Sequence, residues 1–360
     1  MDQRTPPTSR VRIALIGCGG IARGHVDAYA RMRDLCELAY CVDVDEEKAR
    51  RFAEQGNCRW ATNYLPVLDE VDAVDICTPP HLHAPMAIAA ASRGKHVLTE
   101  KVMATRLEDA DEMIRVAEAN GVKLMVAYVT RYDPIWIRLH QALEEGIAGR
   151  PYLVTCRTEH APALAEWRRS WETFPMGCLL SHGCHYVDQM IWHFGDVAAG
   201  SSVGTNTVRG PALAREDTAA AIFRFQNGML GNFVCSWAAQ HTNLYIEFNV
   251  YGTEGFLHLT YGNDGVRRLE RCVAKQAPEV LYQYDPRQPG EGPKNFVGEC
   301  EHFVDCIVHD KEPLTNGRES RKSMAAILAA YHGDDANRIV WLEPGASYAA
   351  DPENRLAKPQ

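Results

Sequence analysis

Along the first 130 residues, apolar positions come in short unbroken runs separated by amphipathic stretches. Val11 to Ile16 is such a run, and Gly17-Cys18-Gly19-Gly20-Ile21-Ala22 follows at once, with helix-compatible sequence to about Met32. Leu38 to Val44, Val71 to Thr78, Lys95 to Thr99 and Lys123 to Val129 are further strand-like runs, the second of these stopped by Pro79-Pro80. Between them, Asp45 to Glu54, Pro85 to Arg93 and Leu107 to Ala119 predict helices, the last two closed by Gly94 and by Asn120-Gly121. Buried strands alternating with helices of about ten residues predict right-handed βαβ crossovers and a parallel, doubly wound sheet.

The pattern changes near Pro134. One helix, Ile135 to Glu145, leads into sequence of period two. Tyr152 to Glu159 and Leu244 to Tyr251 alternate as strands. Thr218 to Phe225 and Met229 to Trp237 flank Asn227-Gly228 and predict an antiparallel hairpin. Residues 273–298, rich in Pro, Gly and charge, predict an exposed loop, and Glu299 to Val308 and Ser320 to Arg338 predict helices. The expected organisation is a disordered tail over 1–10, an α/β domain over 11–133, and an α+β domain over 134–360. The second domain carries a large open, mostly antiparallel sheet with helices on one face.

Composition narrows the function classes. The chain has 360 residues, 46% hydrophobic and 24% charged, with net charge -9. That length favours two domains, and that charge gives no reason to expect nucleic acid or an anionic membrane as partner. No apolar run approaches the roughly 20 residues of a membrane helix. Met1 to Arg10 is polar and lacks an apolar signal region. The 12 cysteines form no C-x-x-C pair and sit largely in apolar runs, such as Cys41, Cys77 and Cys235, as reduced core thiols of a cytoplasmic protein do.

The first βα turn carries chemistry. A strand precedes G-C-G-G-I-A, a helix follows it, and Asp43 ends the next strand about 20 residues on, which is the dinucleotide fingerprint of a Rossmann domain. Gly17 allows the tight turn, Gly19 lets the backbone approach a pyrophosphate, and Ala22 lets helix and strand pack closely. Gly20 and Ile21 complete the loop, and the helix N-terminus offers N–H groups to phosphate. Asp43 can accept hydrogen bonds from the adenosine ribose and repels a 2′-phosphate, so NAD is expected rather than NADP. Thr78, Pro79, Pro80 and His83 follow one parallel strand and Glu100 and Lys101 end the next, where ligands of doubly wound sheets lie. These are further candidate cofactor contacts.

The order of G-C-G-G-I-A, T-P-P-H-L-H-A-P, G-K-H-V-L-T-E-K, T-R-Y-D-P, G-C-H-Y-V-D and Y-G-T-E-G-F-L resembles the glucose–fructose oxidoreductase / inositol dehydrogenase / rhizopine-catabolism (Gfo/Idh/MocA) family over roughly residues 11–342. The resemblance implies oxidation or reduction of a ring hydroxyl of a sugar, sugar derivative or cyclitol. It implies that Lys101 hydrogen-bonds the reacting hydroxyl and that His185 accepts its proton. Two positions depart from the family pattern: Val102 stands for the proline after the lysine, and Ser181 for the aspartate four residues before the histidine. His182 is then a candidate for part of that role.

Arg131, Tyr132, Arg168, Ser181 and His182 are candidate substrate contacts, with Arg168 and Arg169 set in an aromatic–basic run, Glu166 to Trp171. His182-x-x-His185-x-x-Asp188 has metal-compatible spacing, but the implied mechanism needs no metal and none is expected. Two alternatives stay open. One is an NAD-dependent glycoside hydrolase acting by transient oxidation, elimination and re-reduction. The other is a non-catalytic dinucleotide-binding regulator. A homodimer or homotetramer through the C-terminal sheet is expected, because an open sheet face needs a cover.

Overall fold

The computed structural model describes residues 10–210, 213, 215–239, 242–287, 296–335 and 340–341. The expected tail falls outside these residues except for the exposed Arg10. The chain divides into two compact units, one running to Val129 and including Asn295–Arg321, the other holding Thr130–Lys294 and the chain from Lys322 on.

The first unit is built on a six-stranded sheet. Its elements are β1 (Val11–Ile16), α1 (Ala22–Arg31), β2 (Cys36–Val42), α2 (Glu46–Gly56), β3 (Arg59–Ala61), α3 (Tyr64–Val67), β4 (Ala73–Ile76), α4 (His83–Ala91), β5 (His96–Glu100), α5 (Leu107–Ala119) and β6 (Leu124–Ala127). Every strand pairing is parallel and the order is β3-β2-β1-β4-β5-β6. Ile13, Leu15, Val74, Ile76, Val97 and Leu98 have no exposed surface, as strands covered on both faces require. Helix α2 starts where the Asp45 carboxylate accepts the Glu47 and Lys48 amides.

The second unit follows with α6 (Pro134–Glu144), β7 (Pro151–Glu159), α7 (Cys178–Ser181), α8 (Cys184–Phe194), β8 (Val197–Thr205), β9 (Thr218–Phe225), β10 (Leu230–Ser236), β11 (Leu244–Gly252), β12 (Phe256–Gly262), β13 (Arg267–Cys272) and β14 (Glu279–Tyr284). Then come α9 (Phe296–Val308), α10 (Gly317–Asp335) and β15 (Val340–Trp341). The nine strands run β14-β13-β12-β11-β7-β10-β9-β8-β15, antiparallel except where β7 meets β10. The expected hairpin is present as β9 and β10. One sheet face receives the helices: Trp136 of α6 meets Phe248 of β11 edge-on at 4.9 Å, and Tyr186 of α8 lies 5.9 Å from Phe233 of β10.

Two expectations change. The boundary expected at residue 133 falls at Val129, and residues 295–321, assigned by sequence texture to the second domain, belong to the first unit. Helix α9 buries Cys300, Phe303, Val304 and Cys306. It lies so close to α1 that a Cβ on Gly24 would meet the Phe296 ring at 2.8 Å. Thr315 also accepts the Val126 amide at 2.9 Å. The loop expected over 273–298 contains β14; residues 288–295 lie outside the described residues. β14 is the end strand of the sheet, so its residues are half-buried or exposed and carry no apolar alternation.

Candidate active site

The glycine turn behaves as its sequence requires. Gly17 has φ +97°, and a Cβ there would press on the Cys77 carbonyl at 2.8 Å. Gly19 and Gly20 are exposed, with open space where a side chain would begin, so the backbone is free to meet a phosphate. Ile21 is half-buried, and Ala22, fully buried, opens α1. Asp43 organises this loop: one carboxylate oxygen accepts the Cys18 amide at 2.8 Å and the other the Asp45 amide at 2.9 Å. Each oxygen retains a lone pair for a ribose hydroxyl. Asp45, Glu46 and Glu47 beyond it are exposed and acidic. The loop therefore fits a dinucleotide without a 2′-phosphate.

Lys101 directly follows β5, at the carboxyl end of a parallel strand, and the Lys101–Val102 peptide is cis. Glu100 is buried and one of its oxygens accepts the Lys101 amide at 3.1 Å. Thr78 and Pro79 are half-buried at the end of β4 and Pro80 is buried. His83, expected as a cofactor contact, is a buried residue of the first turn of α4. Its ring is enclosed, with Nδ1 2.7 Å from the Val102 carbonyl and Nε2 2.8 Å from the Thr78 carbonyl. Burial pulls its pKa below the ordinary histidine value, against the two carbonyls, which favour the charged ring. It braces the Thr78 turn against the residue after Lys101.

In the second unit, His185 lies buried in the first turn of α8. Ser181 ends α7, and His182 follows it with Nε2 3.0 Å from the Thr158 hydroxyl and 3.5 Å from the Tyr245 hydroxyl. The His182 ring lies 4.3 Å from that of His160 and 6.4 Å from that of His185. The described groups around His182 are the Thr158 and Tyr245 hydroxyls and the rings of His160, His185 and Tyr186.

Arg131, expected as a substrate contact, is 2% exposed and forms a bidentate pair with Asp188, itself 1% exposed. Sequence could not show this, because the partner lies 57 residues away. Each Asp188 oxygen accepts from Arg131. Tyr132 is buried as well. Arg168 is half-buried, its guanidinium 4.9 Å from the Trp167 ring and 5.4 Å from Trp237, and burial lowers its pKa. Arg169 is exposed and pairs with Glu166 at 3.7 Å.

A buried polar group in the first unit was missed. His25 of α1 has Nδ1 2.8 Å from Asp75 and Nε2 3.4 Å from Glu100. The Tyr29 hydroxyl donates to the same Asp75 oxygen at 2.8 Å. The available signal was Asp75 itself, a charge inside the otherwise apolar, fully buried strand Ala-Val-Asp-Ile.

Comparison with known proteins agrees with these features. Residues 11–128 match the Gfo/Idh/MocA model described as an oxidoreductase family with an NAD-binding Rossmann fold, and residues 136–258 match a Gfo/Idh/MocA C-terminal domain. The chain is 30% identical to 1,5-anhydro-D-fructose reductase of Ensifer adhaerens, covering 93% of this chain and 99% of that one. It is 28% identical to D-apiose dehydrogenase of Paraburkholderia graminis, covering 94% and 92%. The WlbA dehydrogenase of Bordetella pertussis, solved with NADH and UDP-GlcNAcA, superposes with a TM-score of 0.81 at 26% identity over 94% of this chain and 99% of that one. With both domains matched in order, the chain belongs to the Gfo/Idh/MocA oxidoreductase family.

Proposed function

We propose that this oxidoreductase transfers a hydride between NAD and the carbon bearing a ring hydroxyl of a sugar, sugar derivative or cyclitol. The observation that carries the reading is the placement of Lys101 directly after β5 of a β3-β2-β1-β4-β5-β6 sheet whose glycine turn and Asp43 fit a dinucleotide. Residues 17–22 would hold the pyrophosphate and Asp43 the adenosine ribose. Bound nicotinamide supplies the hydride acceptor or donor. The Lys101 ammonium hydrogen-bonds the reacting hydroxyl and stabilises negative charge developing on its oxygen. His185 accepts the hydroxyl proton during oxidation and returns it during reduction. Ser181 can hydrogen-bond to substrate but holds no anion at neutral pH, and His182 shares its neighbourhood. Arg168, flanked by aromatic rings, is offered to the ligand.

The relatives named above are a reductase and dehydrogenases, which favours net hydride transfer over redox-neutral glycoside hydrolysis. Incubation with NAD and a panel of aldoses, cyclitols and glycosides tests the reading. NADH accumulating in step with oxidised product is the expected result; hydrolysis of a glycoside without net NADH would overturn it. Lys101→Met should abolish turnover and leave NAD binding intact.

Among the described residues no helix is long and apolar enough to cross a membrane. All 12 cysteines are free thiols, which fits the reducing cytoplasm proposed for this protein. A second copy of the chain is proposed to cover the outer face of the nine-stranded sheet.

A further inference from the structure

We propose that His25 is a positioning residue for the Glu100–Lys101 segment, a buried ring set between Asp75 on β4 and Glu100 at the end of β5. The proposal rests on the reading of Lys101 given above. His25 has no exposed surface, and its two ring nitrogens face two carboxylates, 2.8 Å from Asp75 and 3.4 Å from Glu100. The second oxygen of Glu100 accepts the Lys101 amide. A continuous path therefore runs from α1, which starts at the glycine turn, through one imidazole to the backbone that carries the lysine.

Charge makes this arrangement more than packing. Two carboxylates brought together in the interior cannot both stay ionised without a cation between them. The groups facing His25 are Tyr29 of its own helix, Asp75 and Cys77 of the β4 segment, Glu100 of β5, and Cys300 of α9 at 3.9 Å, with Glu299 beside that thiol. The Phe296 ring covers the imidazole at 5.3 Å. Burial pushes the Cys77 thiol up and the Cys300 thiol to about 11, so both stay neutral at pH 7. Burial disfavours the charged ring of His25, and the Asp75 carboxylate, by its charge and its hydrogen bond, raises its pKa above the ordinary value. Nδ1 is hydrogen-bonded to Asp75, and Nε2 faces Glu100 at 3.4 Å as a charge contact.

His25, Asp75 and Cys77 also lie close enough together to invite a metal ion. Asp75, however, is already met by His25 Nδ1, by the Tyr29 hydroxyl and, at 3.6 Å, by the Cys77 thiol. The group is closed by its own hydrogens and needs no ion.

The test uses the full-length protein. Amide hydrogen exchange reads the contact at Lys101 directly. In His25→Gln, Glu100 loses its cation, and Lys101 amide exchange should rise by about tenfold or more while the β1 amides stay protected. Turnover on the best sugar from the panel should fall by about ten- to a hundredfold, as small misplacements of a reacting group do. Asp75→Asn, a milder change at the same contact, should also raise Lys101 exchange and serves if His25→Gln does not fold.

Unchanged Lys101 exchange, or exchange rising equally across β1, would overturn the proposal. So would stoichiometric zinc in the purified protein that is lost in His25→Gln. Full turnover by Lys101→Met would sink the catalytic assignment instead, and the exchange result would still report on the His25 contact.

Discussion

Arg131 and Asp188 form a two-pronged ion pair, Nε and Nη2 each 2.7 Å from a carboxylate oxygen, with both side chains almost fully buried. Asp188 lies one turn after His185 on α8, so the pair fixes the helix that carries the expected general base. Removing one partner leaves a buried charge without its counter-ion, at a cost of about 3–5 kcal/mol. Arg131→Met and Asp188→Asn should each lower the melting temperature by on the order of 10 °C. Arg131→Met/Asp188→Leu should be less destabilised than Arg131→Met, because no lone charge remains. Thermal melts of the three variants check this, and additive losses in the double variant would refute it.

Asp43 has two jobs, and variants can separate them. It holds the Cys18 amide in the glycine turn, and its charge opposes a 2′-phosphate. Asp43→Asn keeps an acceptor for Cys18 and removes the charge; Asp43→Ser shortens the side chain as well. Both should lower the ratio of kcat/KM for NAD to that for NADP by about tenfold or more, equivalent to 1.4 kcal/mol. Asp43→Ser should lose more NAD affinity than Asp43→Asn. An unchanged cofactor ratio in both variants would remove Asp43 from cofactor choice.

The parallel sheet was legible because each strand is a short apolar run beside a helix, and the hairpin because Asn227-Gly228 marks its turn. β8, β12 and β13 were not, since half of each strand faces outward and its residues mix small, polar and charged types. Lys101 and Asp43 were legible as positions, because strand ends in this topology predict where ligands lie. The Arg131–Asp188 pair and the carbonyls around His83 were not legible, because a polar side chain beside a site has the same sequence signature whether it points at a ligand or at a partner elsewhere in the chain. Asp75 was a readable exception, since a carboxylate inside a buried strand demands a cation that the strand cannot supply.

His193 gives the stability a pH dependence of known sign. Burial, then His140 and Arg131, hold its pKa well below the ordinary histidine value. It lies 3.1 Å from His140 and stacks on Trp136 and Trp192. The unfolded chain takes up this proton near pH 6.5, whereas the folded one refuses it until lower pH. Stability from this group is full above about pH 6.5 and is lost as pH falls toward its folded value. His25, with its pKa raised, changes stability only above about pH 6.5, where its contribution is lost as pH rises, and so leaves the acid window to His193. The comparison is therefore between His193→Gln and its parent. Denaturant unfolding from pH 7 to pH 5 should show a shallower loss of stability in the variant; parallel curves would show that His193 does not titrate differently on folding.

The outer face of the large sheet supplies the last prediction. Leu230 on β10, Ile222 on β9 and Val203 on β8 are 55%, 51% and 66% exposed, although each sits within a strand. Their registers place them on one face: Leu230 pairs with Arg224, two residues from Ile222, and Ile222 pairs with Ser201, two residues from Val203. The opposite face carries Phe223, Phe225 and Phe233, all buried. Large aliphatic side chains held side by side across three adjacent strands form a patch that water disfavours, and a two-fold related copy of the same sheet would bury it against itself. A charge at the centre of such an interface would be duplicated by the symmetry and would have to shed its water. Ile222→Asp/Leu230→Asp should therefore convert the protein to monomers, read as a fall in mass by light scattering during size exclusion, with NAD binding retained by the intact first unit. A parent protein that runs as a monomer, or a variant whose mass does not fall, would show that the second copy does not sit on this face.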